Sequence, residues 1–350
     1  MRNRMLFILW CVICSLLVLP TFSFSAPAIT PPPSWPKTIS IGTAGVGNSQ
    51  YNLAAGMANL IAKYTGVKSV PEASSVGGRT IHQLNNKDIE IGFSFADQAY
   101  DAARGLRDYK KYGRMNVRQM WMAATTPFAM ITHADSGIKT FAALKGKRVM
   151  SRYSGNLMFG RVMDLFLEAE GMEIEDVKHI AFTGWKDGAA ALKEKRIDAF
   201  IHPFPSAGIP SWIQELSLEI PVRLFTVEDE KLDSLLNKYK FLSKCSLSAK
   251  DYGPIIYNKD LIAVSPYNAI FCRADLPEDL VYAVMKAVFD HLEEIYPLHK
   301  TVKEWTDNPL FPGVVPYNPG VIRYWKEKGR WTAELDSLQK GLLIEVGESK

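Results

Sequence analysis

Thr38-Ile39-Ser40-Ile41-Gly42-Thr43-Ala44-Gly45-Val46-Gly47-Asn48-Ser49-Gln50-Tyr51 decides the fold class. Ile39 and Ile41 alternate with polar residues, as in a short strand, and the chain then enters a glycine-rich loop. Leu53, Met57, Leu60, Ile61 and Tyr64 next form one apolar stripe at helical spacing, and Gly66 closes the helix. Residues 67–71 read as a second strand, 74–78 as a second glycine-bearing loop, Ile81 and Leu84 as a short helix, and 88–95 as a third strand. Strand, loop and helix in that order predict an α/β lobe with parallel strands.

The same plan returns downstream. Residues 147–150 read as a strand, 151–156 as a loop, and 161–170 as a helix stopped by Gly171. A strand over 177–182, a helix opened by Thr183-Gly184-Trp185 and running through Leu192, and a strand over 197–201 complete the unit. Each unit covers about 55 residues, too long for a solenoid repeat. Two apolar stretches connect the halves: 120–133, broken by Pro127, and 260–273, broken by Pro266. Pro277-Glu278-Asp279 then starts a helix carrying Leu280, Val284, Val288 and Leu292. The expected architecture is two α/β lobes, 38–126 plus 264–350 and 127–263, hinged by two crossings around a cleft.

The N-terminus predicts export. Arg2 and Arg4 precede an apolar run of roughly 15 residues, short of the about 20 that a membrane span needs. Pro20 breaks it, and Ser23 and Ser25 are small residues of the kind a signal peptidase reads. We read 1–25 as a cleaved signal and 26–37 as a Pro-rich linker, giving a periplasmic, monomeric mature chain. Export implies an oxidising compartment in which Cys245 and Cys272, the remaining cysteines, have the chance to pair. The 41 basic and 37 acidic residues leave a net charge of only +4, and no basic run tracks phosphates, which argues against nucleic acid.

The six histidines form no HExxH or His-x-His pair, and no G-x-S-x-G elbow occurs, so neither a metal nor a hydrolase centre is expected. The loop after the first strand lacks the third glycine of a dinucleotide fingerprint and the Gly-Lys-Ser/Thr of a P-loop. What it does offer is backbone N–H groups and a helix N-terminus, which suit a carboxylate. Parallel strands bring several loop residues to one edge. The ligand-binding candidates are Thr43, Gly45, Gly47, Asn48, Ser49 and Tyr51 from the first loop, and Ser74, Ser75 and Thr80 from the second. Phe95 and Asp97 follow the third strand, and Arg152, Ser154, Asn156 and His202 stand on the facing lobe. Arg152 is the expected facing cation.

Several motifs, in order along most of the chain, now identify a resemblance. They include Ile41-Gly42-Thr43-Ala44-Gly45-Val46-Gly47 with Tyr51, Glu72-Ala73-Ser74, and Ala96-Asp97-Gln98-Ala99-Tyr100-Asp101-Ala102. Leu144-Lys145-Gly146-Lys147-Arg148-Val149, Ile197-Asp198-Ala199-Phe200, Ala274-Asp275-Leu276-Pro277 and Asn318-Pro319-Gly320 continue the set. The sequence resembles the TAXI family, the extracytoplasmic solute receptors of TRAP transporters. The resemblance implies a two-lobed type II periplasmic-binding-protein fold that closes on a small organic anion and docks on TRAP permease subunits, with no cofactor and no catalysis. Phe95 stands where the family frequently has Gln, so the expected ligand is a less polar or aromatic carboxylate. Two other readings stay open: a ligand receptor for a membrane signalling partner, and an enzyme on the same fold using His202 or Cys272.

Overall fold

A computed structural model describes residues 30–73, 78–152, 158–181, 187–205, 208–307, 310 and 312–348. The first part of the chain runs β1 (Thr38–Thr43), α1 (Ser49–Thr65), β2 (Lys68–Ala73), α2 (Gly78–Asn85), β3 (Ile91–Phe95), α3 (Ala96–Arg104) and β4 (Val117–Ala124). Next come β5 (Phe128–His133), β6 (Arg148–Met150), α4 (Met158–Ala169), β7 (Lys178–His179), α5 (Asp187–Lys193), β8 (Ala199–Pro203), α6 (Ser211–Glu219) and β9 (Val222–Phe225). After α7 (Asp229–Lys238), β10 (Leu242–Leu247) and α8 (Ala249–Tyr252), the chain returns through β11 (Leu261–Pro266) and β12 (Asn268–Arg273). It ends with α9 (Glu278–Phe289), α10 (Glu304–Asp307), α11 (Pro319–Glu327) and α12 (Ala333–Glu345).

Two five-stranded sheets share one plan. The orders are β2-β1-β3-β12-β4 and β7-β6-β8-β5-β9, with β10 and β11 forming a separate pair. In each sheet three strands run parallel, and an antiparallel strand is inserted beside the third: β12 against β3, and β5 against β8. This is the type II periplasmic-binding-protein arrangement, as the sequence led us to expect. β4 and β5 flank Pro127, and β11 and β12 meet at Pro266 and Tyr267, so each proline-broken stretch holds two strands that belong to different sheets.

Several boundaries differ from expectation for local reasons. β3 starts only at Ile91, because Lys87 turns at φ +67° and the Asp88 N–H is held by the Gln83 carbonyl at 2.8 Å. β2 runs on through Pro71, which a sheet edge tolerates because the missing N–H faces outward. β7 keeps just Lys178 and His179, and Phe182 lies outside the described residues. β8 begins after Asp198, whose carboxylate accepts the Arg148 backbone N–H at 2.8 Å and its guanidinium at 2.7 Å, tying β6 to β8. The expected signal segment is likewise outside the described residues.

The first sheet packs on α1, α9 and α11 around Trp121, Trp305 and Trp325. Gly320 lets α11 approach α9 closely, since a Cβ there would sit 2.3 Å from the Glu278 carbonyl oxygen. A second cluster runs continuously from Ala96 of α3 and Phe271 of the first sheet to Ala199 and Ile201 of the second, so the halves share one core. Cys272 lies in β12 and Cys245 in β10, and both thiols are free. No described helix is long and apolar enough to cross a membrane.

Candidate ligand-binding cleft

The loop after β1 is built for a helix start. Gly47 adopts φ +88°, left-handed backbone that disfavours any side chain. Asn48 is extended and caps α1, its Oδ1 accepting the Gln50 N–H at 2.9 Å. The Asn48 N–H donates to the Gly45 carbonyl at 3.1 Å, so this amide, one of those assigned to an anion, serves the loop itself.

α1 opens beside a cleft of about 480 Å3, a volume suited to a small molecule. Ser49, Gln50 and Leu53 form one side, with Phe93 and Phe95 of β3 beside them. The end of β4 supplies Ala124, and the chain between β4 and β5 supplies Thr125 and Thr126. Pro203, Phe204 and Pro205, at the end of β8, bring the second sheet into the wall. Asn268 stands at the start of β12, paired in register with Phe95 on one side and Ala124 on the other. A 3-10 turn, Lys300–Lys303, adds Lys300 and Thr301, flanked by His299 and Glu304.

The walls are mainly apolar, through Leu53, Phe93, Phe95 and Phe204, with one lysine and one glutamate. Burial, reinforced by Lys300, lowers the His299 pKa and keeps the ring neutral at pH 7; its Nδ1 lies 2.8 Å from the Thr301 hydroxyl. Asn268 is 3% exposed, yet neither atom of its carboxamide has a hydrogen-bond partner. The Gln50 Oε1 is also buried and unpartnered. Among the described residues no group of His, Cys, Asp and Glu could hold a metal ion.

The model of the NMT1-like family matches residues 41–329, most of the chain. The chain belongs to the NMT1-like family. Among solved structures it is similar to the periplasmic aliphatic sulphonate binding protein SsuA from Escherichia coli, at 15% identity over 89% of this chain and 91% of that one, TM-score 0.46. It is also similar to a putative periplasmic sulfonate-binding protein SsuA from Methylobacillus flagellatus (16% identity, 90% and 88% covered, TM-score 0.48) and to XAC2383 from Xanthomonas citri bound to chloride ion (10%, 89% and 99%, TM-score 0.48).

In this NMT1-like chain the residues singled out from sequence fall into three groups. Ser49 and Phe95 line the cleft, with Gly45, Gly47 and Asn48 exposed in the adjoining loop. Ser74, Ser75, Ser154 and Asn156 lie outside the described residues. The remainder point elsewhere. Thr43 and Thr80 are fully buried, and the Thr80 methyl occupies the space over Gly42 and Gly92. Tyr51 is half-buried on α1 and is not in the wall. Asp97 is fully buried, its Oδ2 accepting from Gln98 Nε2 at 3.1 Å, and burial lifts its carboxyl to about 6.

Two expectations meet side chains already engaged. The Arg152 guanidinium, expected to face the ligand, instead pairs with Asp164 at 2.5 Å, two helical turns into α4's surface. His202 sits behind the wall among Phe159, Phe204 and Trp212. Its Nδ1–H donates to the Pro203 carbonyl at 2.6 Å, and burial drops its pKa to about 4. Cys272 is sealed inside β12 with its thiol pushed up to about 12 by burial, so both groups the sequence offered to an enzyme are neutral and enclosed. Sequence reasoning missed Asn268 and the 299–304 turn. A lone Asn opening the apolar run Ala269-Ile270-Phe271-Cys272 was a legible signal; the turn had none.

Proposed function

We propose that this chain is an exported solute-binding protein that captures a small organic anion in the cleft and delivers it, unchanged, to a membrane permease in the periplasm. The observation that carries the reading is the cleft itself, about 480 Å3, walled by the end of β3, the start of α1 and the end of β8, so that both sheets contribute. The chain leaves the first five-stranded sheet between β4 and β5 and returns to it from the β10-β11 pair between β11 and β12, and we take the units so joined as lobes 38–126 plus 264–350 and 127–263. Closure on a ligand would shift the population toward the form the permease recognises.

Phe93, Phe95 and Phe204 suit an apolar or aromatic body, and Lys300 with the α1 N-terminus brings positive potential for a carboxylate. The motif resemblance favours a TRAP-type permease as the partner. Native mass spectrometry of protein purified gently from its source should show a co-purifying organic acid. Uptake in vesicles carrying the permease should follow an ion gradient without ATP; uptake that requires ATP hydrolysis would reassign the partner to an ABC importer, and a protein that binds no solute would end the reading.

A further inference from the structure

We infer that Asn268, together with Gln50, reads an amide group of the ligand, so that the cleft takes an amide-bearing organic acid with an apolar body, of the N-acyl amino acid kind. The inference rests on the solute-binding reading above and narrows its ligand class.

Asn268 opens a strand whose next four residues are buried and apolar, and it is itself 3% exposed. A carboxamide in such a place is costly unless its hydrogen bonds are made. Neither its nitrogen nor its oxygen has a partner, and the residues paired with it in register, Phe95 and Ala124, have no polar side-chain atoms to offer. Gln50 brings a second carboxamide to the same cleft, its Oε1 equally unmatched. Two half-buried or buried carboxamides therefore meet one cavity with donor and acceptor capacity unused.

The chemistry of the missing partner follows. A carboxylate has acceptors only, so it would satisfy Asn268 Nδ2 and leave Oδ1 bare. An N-acyl amino acid satisfies both: its amide N–H donates to Asn268 Oδ1 while the neighbouring carboxylate accepts from Nδ2, and the acyl C=O lies on the opposite edge of the trans amide. Exchanging the nitrogen and oxygen positions of the Asn268 side chain does not alter this, since either orientation shows one donor and one acceptor face. Phe93, Phe95 and Phe204 then surround the acyl body.

The test compares two probes that differ in one atom: N-benzoylglycine and O-benzoylglycolate, the ester in which oxygen replaces the amide N–H. Calorimetry on the exported chain should show the amide binding at least tenfold tighter. Asn268→Leu should erase that gap by weakening the amide while leaving the ester nearly unchanged, and Gln50→Leu, at a half-buried helix position, should narrow it. Should Asn268→Leu fail to fold, the wild-type comparison and Gln50→Leu still decide. Equal affinity for the two probes, or binding of neither, overturns the inference. A chain that ignores both probes yet co-purifies with another organic acid keeps the receptor reading and loses only this one.

Discussion

The Trp305 indole N–H donates to the Ala123 carbonyl at 2.8 Å, fastening the 299–304 turn to the end of β4. Both partners border the cleft: Ala123 lines it directly, and Trp305 follows Glu304. Trp305 is fully buried and meets Trp121 edge to face at 5.5 Å between ring centres. Trp305→Phe keeps most of the packing but leaves a buried carbonyl unpaired, and it should cost about 1–3 kcal/mol in denaturant unfolding. If the bond positions the turn, the same variant should also weaken solute binding. A variant as stable as the parent would mean that the bond contributes nothing net.

The fold was legible where a strand alternates or a helix carries a complete apolar stripe, as at β1 and α1. Between 204 and 259 no element could be read, because α6 buries only Ile213 and Leu216 and α7 only Leu232 and Leu235. β10 pairs with β11 alone, so half of its residues are not fully buried and it lacks a core strand's continuous apolar run. The site was legible in part for the same reason. Ser49 and Phe95 stand at a helix start and a strand end, positions that a parallel sheet dictates. Asn268 and Thr301 reach the cleft from a returning strand and a short 3-10 turn, more than 170 residues further along the chain, and only tertiary packing brings them there.

Asp97 makes stability depend on pH in an unusual direction. Burial raises its carboxyl to about 6; Asp101 adds to the rise, and Arg161 and Gln98 oppose it, while Arg107 engages Asp101 at 2.6 Å. The folded chain therefore holds a proton that the unfolded chain has already released between about pH 4 and pH 6. The stability this group contributes is present below that window and is lost as pH rises through it. Asp97→Asn should flatten the slope and raise stability at pH 7 by up to about 3 kcal/mol. Urea unfolding at several pH values checks both, and an unchanged slope between pH 4 and 6 would place Asp97's titration elsewhere.

The two thiols should remain reduced and silent even after export. Cys272 is fully buried and Cys245 half-buried; they lie in different sheets, and burial pushes each thiol up to about 12. With so little thiolate at neutral pH, a chromogenic disulfide reagent should find almost no reactive sulfur in the folded exported chain and both thiols once guanidinium unfolds it. Finding no thiols after unfolding would show that the two are bridged.

Arg152 is where the sequence reading and the geometry make opposite forecasts. As a ligand-facing cation it would lose about 1.5–3 kcal/mol of binding on truncation to alanine, the worth of a charged hydrogen bond. In the structure its guanidinium donates to Asp164 Oδ1 at 2.5 Å, and both side chains are 42% exposed. An ion pair that open contributes little to stability. It also engages the arginine, and the cleft wall contains Lys300 rather than Arg152. Arg152→Ala should therefore leave the affinity for the co-purifying solute within about twofold and lower stability by no more than about 1 kcal/mol. A loss of tenfold or more in calorimetry would return Arg152 to the site, and would mean that it abandons Asp164 when the ligand arrives.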